Sequence, residues 1–391
     1  MLFDEMDVKI SAEGPWIPRR LDLKDLVVRK SHFLLGPRLT GKTSLIHHTL
    51  PEAKIFDLLD STVFLNLSRS PERLAEEIGA SNSLVVIDEI QRLPILLNEV
   101  QRLIDSKGIR FLMTGSSARK LRRAGVNLLG GRARVKNLRP LIRQELGPRF
   151  DLSRALDRGL LPSIYFSDDP QADLSSYVGL YLQQEIIAEG AARNVPSFSR
   201  FLKVAAYCNA TIVNFTNVAN DAQVARTTVH EYFEILKDTL VLHELPAWRK
   251  TKKRKPLASS KYYFFDAGVA AALQSRNVRP GTPEYGDAFE TYLMHELTSY
   301  ADYVSGEPLA FWRSASGFEV DFILGGHTAI EAKAKPLISP QDLRSLRALT
   351  EENSLKHYVC VCLEPRVRER EGIQILPYSI FLDKLWAGEY R

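Results

Sequence analysis

The sequence is poor in sulfur: three cysteines (Cys208, Cys360 and Cys362) and four methionines in 391 residues. An odd number of cysteines, none at framework or zinc-finger spacing, excludes a disulfide-stapled scaffold and a structural zinc module. Cys360 and Cys362 sit in "HYVCVCL". Side chains two apart on a strand share a face, so both read as buried thiols, which suits a reducing cytoplasm. Long apolar runs are also missing. None comes near the roughly 20 residues that a bilayer span requires, so no membrane segment is expected. The opening "MLFDEMDVKI" is acidic, whereas a signal peptide begins basic and continues apolar. There is no large excess of one charge: 52 Lys and Arg against 47 Asp and Glu give a formal +5. Net charge therefore gives no case for nucleic acid, and only its local concentration can. What is present is an ordinary 45% apolar and 25% charged composition, with length for two to four domains.

The first informative stretch is "SHFLLGPRLTGKTSLIHHTL", which reads as a buried strand, a glycine loop and a helix. Gly36, Pro37, Arg38, Leu39, Thr40, Gly41, Lys42 and Thr43 match G-x-x-x-x-G-K-[ST] in full. Glycines let backbone amides close around an anion, and a helix starting near Lys42 adds unpaired amides and a positive dipole end. Lys42 is placed to reach the β and γ phosphates, and the Thr43 hydroxyl to hold Mg2+. The ATP-binding stretch is thus Gly36 to Thr43, extended by Ser44. A magnesium-binding carboxylate is expected at the tip of a neighbouring strand, and "NSLVVIDEIQRLP" supplies Asp88, followed by Glu89 as general base for the attacking water. The next strand, "IRFLMTGSSARKL", ends in polar residues. Ser116 is preferred there as γ-phosphate sensor, with Ser117 and Thr114 close alternatives. In "LLGGRARVKNLRPL", Arg132 is preferred as an arginine finger reaching a neighbouring subunit's nucleotide. Strands near 31–35, 54–58, 84–88, 110–114 and 134–138 alternate with helical stretches, predicting an α/β fold with a parallel sheet.

Residues 146–212 have helical periodicity and are expected to form a lid. "VNFTNVANDAQVARTTVHEYFEILKDTLVLHEL" predicts a helix-turn-helix with helices at about 214–221 and from Ala225, followed by two strands. Between those strands lie Arg249, Lys250, Lys252, Lys253, Arg254 and Lys255, the tip of a wing. Such a run can neutralise phosphates of DNA or RNA, although acidic protein is the rival partner.

The last third predicts the order α-β-β-β-α-β-β-α from about residue 280. Its hairpin, "GFEVDFILGGHTAIEAKAK", places Glu319 and Asp321 on one face of the first strand, and Glu331, Lys333 and Lys335 on one face of the second. Asp321, Glu331 and Lys333 form the candidate cluster for a metal-dependent nuclease. Asp321 and Glu331 are its metal ligands and Glu290, on the preceding helix, is a third. A charged hairpin face that does no chemistry is the competing reading. Asp-x9-Glu-x-Lys resembles the PD-(D/E)xK nucleases, except that Val320 stands where those have proline.

Taken together, "LLGPRLTGKTSL", "VVIDEIQRLP", "FLMTGSSARKL", "GGRARVKNLRPL", "KYYFFDAG", "DAFETYLMHEL" and "EVDFIL…IEAKA" resemble a prokaryotic family of AAA-type ATPases with a C-terminal domain of uncharacterised function. The resemblance implies ATP and Mg2+ as ligands and homo-oligomers, typically rings of six, in which Arg132 acts across an interface. The pattern along the chain predicts an ATPase domain at 1–145, a lid at 146–212, a winged helix-turn-helix at 213–275 and a nuclease-like domain at 280–391. Two functions are expected from the residues: an ATP-dependent enzyme that acts on or binds nucleic acid, or a nucleotide-operated switch whose nuclease-like part only docks a partner.

Overall fold

The computed structural model describes residues 15–79, 83–117, 119, 129–181, 194–251, 253–257 and 259–391. The chain divides into two compact units. The first runs to Arg149 and adds Leu161–Asp173 and Asp238–Leu240. The second holds Phe150–Leu160, Leu174–Lys237 and Val241–Arg391. The segment expected as a lid is therefore shared between the two units.

The first unit is an α/β sandwich around five parallel strands: β1 (Ser31–Leu35), β2 (Lys54–Asp57), β3 (Leu84–Asp88), β4 (Arg110–Gly115) and β5 (Ala133–Asn137), in the order β2-β3-β4-β1-β5. Parallel neighbours need crossover helices, and Lys42–Thr49, Ser61–Arg69 and Leu96–Lys107 provide them. The inner strands are covered on both faces and so read as unbroken apolar runs, "SHFLL" and "LVVID". Phe33, Val85, Ile87, Phe111 and Met113 pack with Leu97, Val100 and Leu103 in one core. Register then sets the site. Leu35 pairs with Gly115 and Ile87 with Met113, so Gly36, Asp88 and Thr114 arrive together at the carboxyl end of the sheet.

In the second unit, helix Val195–Tyr207 leads to β6 (Thr211–Ile212), helices Phe215–Ala222 and Arg226–Asp238, β7 (Leu242–Leu245) and β8 (Lys261–Phe264). The strands form an antiparallel sheet in the order β6-β8-β7. Val229, Phe233 and Leu236 are buried, as their spacing predicts, and Phe233 meets Phe201 and Tyr262. Helix Pro283–Tyr300 then precedes a mixed six-stranded sheet: β9 (Leu309–Arg313), β10 (Glu319–Leu324), β11 (Thr328–Lys333), β12 (His357–Cys362), β13 (Arg368–Arg370) and β14 (Ile373–Pro377), ordered β13-β14-β12-β11-β10-β9. Helix Arg344–Thr350 connects β11 to β12, and Tyr378–Ala387 follows β14. The turn between β10 and β11 has Gly325 at φ 60° and Gly326 at φ 74°, a conformation that strongly favours glycine. The expected element order therefore gains one strand. β13 is the exposed "RER", which carries no apolar signal. Cys360 and Cys362 are buried, free thiols in the core beside Trp312 and Leu346. No helix among the described residues is long and apolar enough to cross a membrane.

Candidate functional site

The glycine loop begins where β1 stops. A Cβ on Gly36 would lie 2.3 Å from the Leu138 carbonyl oxygen, so the chain can pass there only as glycine. Leu39 (φ 63°) and Gly41 (φ 88°) are both left-handed, which curls the loop back before helix Lys42–Thr49. Thr40 is buried and donates its hydroxyl to the Pro37 carbonyl at 2.9 Å. The Lys42 ammonium, 7% exposed, donates to the carbonyls of Gly36 (2.8 Å) and Pro37 (3.1 Å) and so lies against the loop. Ser44 is in the first turn of the helix, and the Arg38 charge acts on Glu89.

Asp88, at the tip of β3, is 3% exposed. One of its oxygens accepts the Thr43 hydroxyl at 2.8 Å and the other accepts the Thr114 hydroxyl. Thr114 in turn accepts the Glu89 amide at 3.0 Å. Of the polar residues at the end of β4, Thr114 touches the Asp88 carboxylate, Ser116 accepts the Gln91 amide and Ser117 accepts the Arg119 amide. Glu89 turns away from the strand at φ 60°. Burial pushes its carboxyl up, Lys42 opposes the rise and Asp88 adds to it. Gln91 was not legible as a site residue. It is buried and donates its amide to Glu89 and, at 3.5 Å, to Ser116, while its Oε1 has no partner among the described residues. A hydroxyl beside a carboxylate fits Mg2+, which keeps few protein oxygens and takes waters and phosphates for the rest. Arg132 is held elsewhere: its Nε donates to Asp105 at 2.6 Å on the surface of the same chain.

The second cluster assembles Glu290, Asp321, Glu331 and Lys333, and adds residues from β8. Phe322 pairs with Ile330, which sets Asp321 opposite Glu331. Asp321 accepts the Ala332 amide at 2.9 Å. Lys333 donates to Glu331 at 2.5 Å, and the other Glu331 oxygen is buried without a partner among the described residues. The Lys261 ammonium enters among the carboxylates, 2.5 Å from Glu319, 3.3 Å from Glu290 and 3.8 Å from Asp321. Tyr263 donates to Glu290 at 2.6 Å. Burial and the neighbouring Asp321 raise the Glu290 and Glu331 carboxyls well above their usual range. Burial disfavours the Lys261 ammonium, but Glu290, Asp321 and Glu319 outweigh that and raise it. Among the described residues, no three acidic, histidine or cysteine side chains come together as ligands of one metal ion would.

Part of the cationic run is engaged within the chain. Arg254 donates to Glu351 at 2.6 Å and to the Ala348 carbonyl at 2.8 Å, and the Lys253 and Arg254 amides donate to Glu352. Its charge is thus matched within the chain, against the expectation that all six cations face a ligand. Arg249, Lys250, Lys253 and Lys255 are exposed. Lys252 lies outside the described residues.

Residues 28–147 match a family model described as an AAA domain, and residues 285–381 one described as a domain of unknown function (DUF4143). The chain thus carries an AAA domain and a C-terminal domain of unknown function. Residues 149–279, between them, match a further domain of unknown function (DUF8612). Over 303 residues it is 27% identical to uncharacterized proteins of Mycobacterium bovis and Mycobacterium tuberculosis, covering 74% of this chain and 66% of each relative. The match thus spans just under two thirds of their length. Among solved structures it is similar to a STAND signal-transduction ATPase with a tetratricopeptide-repeat sensor from Pyrococcus horikoshii. That likeness has 14% identity and a TM-score of 0.25, over 73% of this chain and 45% of that one. It is also similar to the Bacillus subtilis DNA clamp loader delta protein, at 13% identity and a TM-score of 0.23, over 55% of this chain and 86% of that one. Scores this low carry no argument about function.

Proposed function

We propose that the protein is a Mg2+-dependent ATPase that works as a nucleotide-operated switch, its C-terminal unit serving as a docking platform and not as a nuclease. The observation that carries the ATPase is the convergence of the Lys42 ammonium, the Thr43 hydroxyl and the Asp88 carboxylate on one glycine loop. Gly36 to Ser44 surround the β and γ phosphates of ATP, and Lys42 offsets their charge. Thr43 and Asp88 hold the magnesium shell, which supplies charge stabilisation at the transferring phosphoryl group. Glu89, its carboxyl raised, orients the attacking water and takes its proton. Thr114 and Ser116 set the positions of Asp88 and Gln91 around it. Arg132 would first leave Asp105 to serve a neighbouring subunit in a ring.

The docking reading of the C-terminal unit is supported by Lys261. The Lys261 ammonium among Glu290, Glu319 and Asp321, together with Lys333 on Glu331, already supplies the positive charge that a metal ion would bring to Asp321 and Glu331. The exposed cations at Arg249, Lys250, Lys253 and Lys255 favour a second reading, in which the platform grips DNA or RNA phosphates without cutting them. The test is incubation of the full chain with ATP, Mg2+ or Mn2+ and single- or double-stranded DNA and RNA. ATP is expected to be consumed with the nucleic acid left intact. Cleavage that disappears in Asp321→Ala would replace the docking reading with a nuclease.

A further inference from the structure

The polar contacts behind the glycine loop centre on a residue outside every motif. Arg19 is almost wholly buried, its side chain 3% exposed, and pairs with Glu145, 2% exposed, at 2.9 Å. Its guanidinium donates to three backbone carbonyls: Thr40 at 2.7 Å, Arg139 at 2.5 Å and Pro140 at 3.2 Å. Glu145 spends its remaining capacity on the same corner, accepting the amides of Arg20 (2.7 Å) and Ile142 (3.2 Å). Three chain segments meet here: residues 19–20, the glycine loop, and the stretch after β5. That stretch also forms the wall against which Gly36 is packed, at Leu138. Nearby, Trp16 stacks on His48 of the loop's own helix, with centroids 4.0 Å apart.

From this geometry we infer that Arg19 is a positioning residue for ATP binding, fixing the Thr40–Gly41 peptide so that the loop amides stay turned toward the phosphates. The inference rests on the nucleotide-binding reading of the loop. A peptide unit has two polar ends on opposite sides. Holding the Thr40 carbonyl in a buried charge-assisted hydrogen bond therefore fixes where the Gly41 N–H can point. The need is local: Leu39 and Gly41, on either side of Thr40, are both left-handed, a region where leucine is strained, so this turn depends on the contacts that hold it. Glu145 holds the guanidinium in place. Lysine can replace the charge but not the fork that reaches three carbonyls and a carboxylate at once.

The role separates from plain stability in the kinetics. Arg19→Met, Arg19→Lys and Glu145→Gln are made in the full chain, with Mg-ATP affinity read by calorimetry, KM and kcat by phosphate release, and folding by thermal melting. Arg19→Met is expected to weaken Mg-ATP affinity and raise KM by about tenfold or more, the loss of a charged hydrogen bond. Its kcat at saturating ATP should stay within about threefold of wild type, since a residue that shapes the ground-state cradle acts mainly on binding. Arg19→Lys should recover part of the affinity. Glu145→Gln, which leaves the carbonyl contacts but weakens their anchor, should fall between wild type and Arg19→Met, and it carries the test if Arg19→Met does not fold. Wild-type affinity in folded Arg19→Met, or in Glu145→Gln where Arg19→Met does not fold, overturns the inference while leaving the ATPase standing. Failure of the wild type to bind Mg-ATP removes the nucleotide reading itself.

Discussion

Thr43, the first hydroxyl of the loop helix, donates to Asp88 at the tip of β3, 2.8 Å away and 45 residues along the chain. The contact exists because β1 and β3 are parallel and both end at the same edge of the sheet. It brings a hydroxyl and a carboxylate side by side where a triphosphate's magnesium shell would lie. Thr43→Val keeps the shape and removes the hydroxyl. ATP hydrolysis should fall by at least about tenfold, the loss of one good polar contact, and extra Mg2+ should recover part of it. Unchanged Mg2+ dependence in a phosphate-release assay would remove Thr43 from the metal shell.

The raised Glu89 carboxyl predicts a pH profile. A general base works deprotonated, so hydrolysis is lost as pH falls through its pKa in the folded protein. Burial moves that acid limb above the ordinary glutamate value of 4.5. Glu89→Gln should cut kcat by about 10²–10⁴ and leave ATP binding intact. An acid limb at or below the ordinary glutamate value, or wild-type turnover in Glu89→Gln, would take the residue out of the mechanism.

How much was legible follows from distance along the chain. The loop, Asp88 and Glu89 could be read because each motif is local and chemically over-determined. The parallel sheet could be read because strands covered on both faces are continuous apolar runs. The pairing of Arg19 with Glu145 spans 126 residues, and neither has a distinctive neighbourhood. Asp321, Glu331 and Lys333 were legible as a cluster because a hairpin fixes its own register. Lys261 was not, since it enters that cluster from β8, a strand of a different sheet. Arg254 looked like a free cation because its partners Glu351 and Glu352 follow almost a hundred residues later.

Lys261 makes the carboxylate cluster tolerable, so its removal should be severe. Lys261→Met leaves Glu290, Glu319 and Asp321 facing one another in a buried setting. A loss of about 3–5 kcal/mol is expected, as for one partner stripped from a buried ion pair. Adding Glu290→Gln should restore a substantial part, so that the two changes are non-additive. Additive losses in denaturant titrations would show that Lys261 stabilises through packing alone.

Glu331 supplies a pH dependence of stability. Its folded pKa is raised by burial and by Asp321, so the folded state holds the proton over a range where the unfolded chain has released it. Stability therefore falls as pH rises from the unfolded value of about 4.3 toward the raised folded one. Glu331→Gln should flatten that decline. A melting temperature that falls equally with pH in wild type and Glu331→Gln would show that another group is responsible.

If the glycine loop holds ATP through Lys42, calorimetry of the full chain with Mg-ATP will register it. Wild type is expected to bind one nucleotide per chain, with the heat abolished in folded Lys42→Ala; equal binding by the two proteins, or none by folded wild type, would contradict the account.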